Sequence, residues 1–196
     1  MCEIKSARQI AQEKLDSLGE VTEEERRRWK YVPMGERLAG NYVRGEVDLT
    51  AEYARYPAEA QPYIAMGVSG ILAGNISLPR DDAAKQRNRL ALEGFRIIKQ
   101  DKRGFEAVSA KLSHIFTHYA DQGERQRRQA YEALKSEFQA RLQRALRQQT
   151  GGAADMRVDV EKQPQFHEEW RKVQLRLEAQ YAGLLEEYKK ELLALK

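Results

Sequence analysis

The sequence predicts an all-α protein. Several short N-terminal helices would pack around an uncharged, glycine-containing helix, and long helices would follow, ending in an antiparallel, coiled-coil-like hairpin. Three observations carry this expectation. First, Phe166, Trp170, Val173, Leu177, Tyr181, Leu184, Tyr188, Leu192 and Leu195 recur at steps of three or four, the period of one face of an α-helix. Second, a matching stripe of Tyr131, Leu134, Phe138, Leu142, Ala145 and Leu146 lies just upstream. Third, Ala, Leu, Glu, Gln, Arg and Lys dominate the 196 residues while Pro numbers only 5, which is the helix-forming set.

Length and composition bound the rest. A chain of this size fits one domain, or a domain with an extended arm, and can bury a core without staples. Hydrophobic content of 41% against 33% charged residues excludes a wholly disordered chain. The single cysteine, Cys2, can form neither an internal disulfide nor a thiolate cluster. The first residues lack the basic-then-apolar order of a signal peptide, so the expected address is the cytoplasm. The run Ala60 to Pro79 carries no charge, but Gln61, Pro62, Ser69, Asn75, Ser77 and three glycines dilute it. It reads as a buried helix and not as a membrane span, and no membrane partner is expected. The net charge of +4 comes from the middle of the chain: residues 50–104 hold 9 basic and 6 acidic side chains, and residues 105–150 hold 8 and 5.

Taken in order, Ala7, Ile10, Ala11, Leu15 and Leu18 mark a short amphipathic helix. Thr22-Glu23-Glu24-Glu25 is a capping box with acids at the positive end of the next helix. Pro33 should break that helix, with a second segment through Leu38, Ala39, Tyr42 and Val43 that ends at Gly45. The arginines 26–28 follow three glutamates, so pairing along the helix explains them better than a nucleic-acid patch. Asp48 to Tyr56 forms another short helix, closed by Pro57. In the uncharged segment, Gly67, Gly70 and Gly74 share one helical face. They are expected to admit a close helix crossing, with Gly70 at its centre. Their spacing matches neither a P-loop nor a dinucleotide fingerprint.

Ser77 and Pro79 are expected to open a long helix, with Asp81 and Asp82 in its first turn and Ala83, Leu90, Gly94, Ile97 and Ile98 on its inner face. Lys85, Arg89, Arg96, Lys99 and Arg103 cluster on the opposite face, with Leu92 interrupting them. The ordinary reading is a solvated face; the functional one is a phosphate-contact stripe. Gly104 should end or kink this helix, and Phe105, Val108, Leu112, Ile115, Phe116 and Tyr119 continue in a new one. Asp121-Gln122-Gly123 is a second weak point. The hairpin then comprises residues 124–149 and 165–195, joined by loop 151–163, in which Met156, Val158 and Val160 alternate with charges like a short strand. The organisation expected is an N-terminal subdomain, residues 1–78, and a long-helix region, residues 79–196.

Candidate chemistry is sparse. His114 and His118, four apart, could share a metal. No glutamate adjoins the first, no cysteine cluster accompanies them, and both border apolar positions, so packing is the better account. His167 falls in the first turn of the last helix. Ser69 lacks the nucleophile-elbow spacing, and the acidic pairs Asp81-Asp82 and Glu168-Glu169 sit at helix N-termini, where the dipole accounts for them. No catalytic residue, metal or cofactor is therefore assigned. Two functions remain. The first is a non-enzymatic interaction or assembly protein that uses the hairpin as a surface for a protein partner or a second copy, through Phe166, Trp170, Leu177, Tyr181 and Tyr188. The second is a nucleic-acid-associated protein gripping phosphates through the stripe Lys85 to Arg103. It lacks the aromatic platform of a single-strand binder and the spacing of a helix-turn-helix or zinc finger.

Overall fold

The computed structural model describes residues 21–150 and 159–195. Of these, 85% are helical and none is in a strand. The six α-helices among the described residues are α1 (Glu23–Val43), α2 (Leu49–Ala54), α3 (Gln61–Asn75), α4 (Asp82–Ile98), α5 (Lys102–Thr150) and α6 (Pro164–Ala194). A 3-10 turn, Val160–Lys162, precedes the last. No described helix is long and apolar enough to cross a membrane. The expected helix at Ala7–Leu18, and most of the strand-like alternation, lie outside the described residues. Contacts divide the chain into two compact units, residues 1–72 and 73–196.

In the first unit the capping box forms as the sequence predicts. The Thr22 hydroxyl accepts from the Glu25 N–H at 3.2 Å, and the Glu25 carboxylate accepts from the Thr22 N–H at 2.9 Å. The backbone hydrogen bond from Thr22 holds the Glu25 carboxyl below the usual glutamate range. Pro33 does not break the helix as expected: α1 runs through it for 21 residues. The carbonyl that loses its donor belongs to Trp29, which is 65% exposed, so water can take the place of the missing N–H. One turn later Gly35, Leu38 and Ala39 are buried, and that packing carries the helix onward. Asp48 caps α2 by accepting from the Thr50 N–H at 2.8 Å, and Leu49 is fully buried.

The close helix crossing is real, and of the three glycines expected there only Gly67 takes part. A Cβ built on Gly67 would strike the Val32 carbonyl and lie 2.8 Å from the Glu36 N and 3.1 Å from the Gly35 Cα. A Cβ on Gly35 would strike the Ile64 carbonyl. Gly35 and Gly67 therefore form the seat in which α1 and α3 touch backbone to backbone. Gly70 and Gly74 face open space. A shared face identifies which glycines could serve a crossing, and only the partner's position selects among them.

In the second unit Asp81 caps α4, accepting from the Ala84 N–H at 2.6 Å. The inner face is Ala84, Asn88, Ala91, Gly94, Phe95 and Ile98. That is a rotation from the expected face: Ala83 is exposed, and Leu90 and Ile97 are only half-buried. Phe95 enters the core and Asn88 turns inward, where it both donates to the Ser77 carbonyl (2.6 Å) and accepts from the Ser77 N–H (2.8 Å). The chain turns after Ile98, not at Gly104. Asp101 then starts α5 by accepting from the Gly104 N–H at 2.9 Å, which places Gly104 in the first turn.

Helix α5 is one element of 49 residues, continuous through Asp121-Gln122-Gly123, where a break was expected. Gly123 is buried; its missing side chain leaves room for the Tyr181 hydroxyl and the Arg127 guanidinium. Glycine in a helix interior costs about 1 kcal/mol, which the packing on both sides of it offsets. Helix α6 returns antiparallel along α5. Lys111 pairs with Glu191 at 2.7 Å, the Tyr119 hydroxyl donates to Glu178 at 2.9 Å, and the rings of Tyr131 and Trp170 meet edge-on at 5.1 Å. Beyond these, Phe138 and Phe166 meet at 5.7 Å. Val160 belongs to no strand; it lies in the 3-10 turn and buries against Phe138 and Phe166. Beside it Glu161 accepts from the Tyr131 hydroxyl and the Lys135 ammonium, both at 2.7 Å. The anchor of this end is Phe166, 1% exposed; Trp170 is half-buried, Leu184 is exposed, and Leu185 and Leu192 are the buried leucines.

Two stability outcomes follow. Gly67→Ala should cost about 1–3 kcal/mol, because the new methyl meets a backbone that cannot move aside. Gly70→Leu should stay within about 1 kcal/mol of the parent, since leucine is the better helix former and meets nothing. Equal losses in urea melts would place the crossing elsewhere. Phe166→Ala should cost about 3–5 kcal/mol as a buried aromatic deletion, and Trp170→Ala distinctly less. The reverse order would assign the anchor to the tryptophan.

Candidate functional site

A cleft lies between α4 and α5 in the second unit. Its volume is about 480 Å³, and its lining comes from both helices and from Pro79 before them. On α4, Lys85, Arg89, Leu92 and Arg96 share one face and form the first wall, with the Glu93 carboxylate beside Arg89. On α5, Phe105, Ser109, Ser113, Phe116 and Thr117 form the second. The helical period produces both walls: residues three, four and seven apart project the same way. Asn88 lies at the base, with its amide committed to the Ser77 backbone, so the base of the cleft is fixed by a hydrogen-bonded pair that a ligand does not need to satisfy.

The predicted phosphate stripe divides here. Lys85, Arg89 and Arg96 line the cleft, each side chain more than half exposed. Each also has a carboxylate neighbour: Lys85 with Asp82 (2.8 Å), Arg89 with Glu93 (2.9 Å) and Arg96 with Glu106 (2.6 Å). The hydrogen bond from Lys85 holds the Asp82 carboxyl below its usual range and, reciprocally, raises the lysine. Arg103 is exposed at the start of α5 and does not line the cleft. Lys99 leaves the surface altogether. It is 6% exposed, donates from Nζ to the Leu195 carbonyl at 2.7 Å, and lies 5.8 Å from the Phe95 ring centre. Burial pushes its pKa below the usual lysine range. It ties the end of α6 to the turn after α4.

The stripe expected to face a partner is turned toward α5. Phe166 meets Phe138 and Tyr131; Trp170 meets Tyr131; Tyr181 lies 5.2 Å from Tyr119 and its hydroxyl is 2.9 Å from His118 Nδ1; the Lys111 ammonium sits over the Tyr188 ring at 5.2 Å; Leu177 is half-buried. His114 and His118 stand 6.2 Å apart between ring centres, both exposed. Among the described residues, no group of three or more His, Cys, Asp and Glu side chains is placed to hold a metal ion. The Ser69 hydroxyl is buried and finds no hydrogen-bond partner among the described residues.

The hydroxyl wall of the cleft escaped the sequence reading. Ser109, Ser113 and Thr117 recur at four-residue steps, a periodicity visible in the chain but buried among the stronger apolar repeat of the same helix. Leu92, which interrupts the basic row in sequence, takes its place in the structure as cleft lining.

One family profile covers both walls. The chain belongs to the family of unknown function DUF6657. The match spans residues 50–194, so the family region runs from α2 through the end of α6 and includes the cleft, the buried Lys99 and the hairpin seam, while α1 lies before it. No curated protein and no solved structure matches the chain.

Within this DUF6657 region the base of the cleft makes a direct test possible. Asn88→Ala removes both partners of the half-buried Ser77 backbone and should cost about 1–3 kcal/mol. Asn88→Asp, which keeps the acceptor and loses the donor, should fall between alanine and the parent. A variant as stable as the parent in thermal melts would show that the pair contributes nothing.

Proposed function

We propose that this chain is a non-catalytic interaction protein whose long helical hairpin is a rigid arm for self-association. The observation that carries the reading is the outward face of α6. Leu175 and Leu193 remain 59% and 45% exposed although they belong to a packed helix. They are eighteen residues apart, which is five full turns at 3.6 residues per turn, so they project in one direction. The exposed Ala179 and Ala182 fall on the same side. Between the two leucines lie these alanines and then the ion-paired Glu186 and Lys189 (2.8 Å), a narrow seam that a second helix can cover. Phe166 is buried and Trp170, Leu177, Tyr181 and Tyr188 are half-buried, so the outer seam offers a partner the more accessible apolar surface. The partner proposed is a second copy of the same seam across a two-fold axis. A cytoplasmic setting fits a chain with one cysteine.

The nucleic-acid alternative draws support from three exposed cations, Lys85, Arg89 and Arg96. It is the weaker reading because each already neighbours a carboxylate and Lys99 is buried.

Light scattering and sedimentation equilibrium test the proposal. The parent should be dimeric at micromolar concentration. Leu175→Glu with Leu193→Glu should make it monomeric with little change in the helical circular dichroism, since exposed positions contribute little to the folded monomer. A parent that stays monomeric, or a double variant that stays dimeric, would overturn the reading. Steep, salt-dependent binding to a generic duplex would favour the alternative instead.

A further inference from the structure

We infer that the cleft between α4 and α5 binds a small amphipathic anion: a compact apolar body with one carboxylate, sulfonate or phosphate head. This is a site separate from the outer seam of α6 and does not depend on the self-association reading. Three features of the cleft converge on this ligand class.

The first is size and lining. About 480 Å³ falls in the range of sites that enclose small organic ligands. Leu92, Phe105 and Phe116 provide apolar contact surface. The deepest polar group, Asn88, is 3% exposed and already bonded in both directions to Ser77. Asn88 thus has no spare group to read the edge of a base or the hydroxyls of a sugar, and the hydroxyls that remain, those of Ser109 and Ser113, belong to the α5 wall. A ligand body that needs none is the one that loses nothing on entering.

The second is the distribution of charge. Arg89 reaches Glu93 through Nε alone, and its two terminal nitrogens make no hydrogen bond among the described residues. Arg96 spends Nε and one terminal nitrogen on a single oxygen of Glu106. Guanidinium groups with donors to spare match the two oxygens of a carboxylate or sulfonate. The carboxylates that now accompany the cations form exposed pairs, which contribute little stability, so a ligand head can share or replace them at small cost. The cations are confined to the α4 wall, and the opposite wall carries the hydroxyls of Ser109 and Ser113. An anionic head at the α4 rim therefore gains both charge-assisted and hydroxyl hydrogen bonds while its body lies on the phenylalanines.

The third is what the cleft lacks for a polymer. The cations occupy one short face and Leu92 stands among them, so consecutive phosphates of a strand would find an apolar side chain between charges. One head fits this geometry better than several.

The probe is 8-anilinonaphthalene-1-sulfonate, a fluorescent apolar anion, titrated into the full chain and checked by calorimetry. One-to-one binding is expected, displaced by dodecanoate and not by dodecyltrimethylammonium, which has a similar tail and the opposite charge. Arg89→Gln with Arg96→Gln should weaken binding about tenfold or more, as loss of charge-assisted hydrogen bonds to the head does. Ser113→Trp, an exposed position on the rim, should occlude the cleft and abolish the fluorescence gain while leaving the melting temperature near that of the parent. If that variant fails to fold, the arginine pair decides alone. No fluorescence gain in the parent overturns the inference. So does a gain that survives the arginine pair within about twofold, because the probe is then elsewhere, for example on the exposed Trp29 and Met66. Displacement by adenosine monophosphate or a single-stranded oligonucleotide, but not by dodecanoate, would assign the cleft to nucleotides and overturn it as well.

Discussion

The second unit depends on one seam of side chains between α5 and α6. Isolated helices are marginal in water however favourable their composition, and a helix of 49 residues with one apolar stripe has no stable existence without a partner along that stripe. Tyr119, Phe138, Phe166, Leu185 and Leu192 supply the contact, each 7% exposed or less. Burying a large apolar side chain contributes roughly 1.5–3 kcal/mol, while an exposed ion pair contributes about 0–1 kcal/mol. Lys111–Glu191 and Arg141–Glu169, which flank the seam, therefore set register more than they hold the helices together. The aromatic rings meet edge-to-face along it, an arrangement that fixes angles as well as distance.

Having one side of α5 occupied by α6 determines what its other sides can do. Helices α4 and α5 pack together, with Phe95 and Ile98 of α4 buried, and the cleft lies between them. Its lining combines hydroxyls, the buried Phe105 and the half-buried Phe116 on α5 with cations, Glu93, Asn88 and one leucine on α4. The position of Lys99 in sequence allies it with the surface cations, yet its ammonium serves the Leu195 carbonyl. A buried lysine is tolerated only where it has such a partner, and here the partner is the end of the last helix.

The first unit is governed by a different constraint, the approach of two backbones. At Gly35 and Gly67 the helices are closer than any side chain allows, and the buried Leu38, Ile64, Val68 and Leu72 fill in around that point. The proline within α1 is compatible with this because the carbonyl left without a donor lies on an exposed stretch, away from the glycine seat.

By itself the sequence determined the helical class, the capping box at Thr22, and the paired stripes of the hairpin. Each of these is written in local chemistry or in a period of three to four residues, and neither needs knowledge of a distant neighbour. Tertiary structure decided the rest. Whether Pro33, Gly104 or Gly123 interrupts a helix depends on whether packing beyond it exceeds a local cost of one to a few kcal/mol, and that packing involves residues far along the chain. Which glycine serves a crossing, which way α4 turns its inner face, and whether Lys99 is a surface cation or an anchor are likewise set by the partner helix. The cleft was legible only by half: its cations form a visible row, but its hydroxyl wall belongs to another helix, and only the fold brings the two rows to opposite sides of one space.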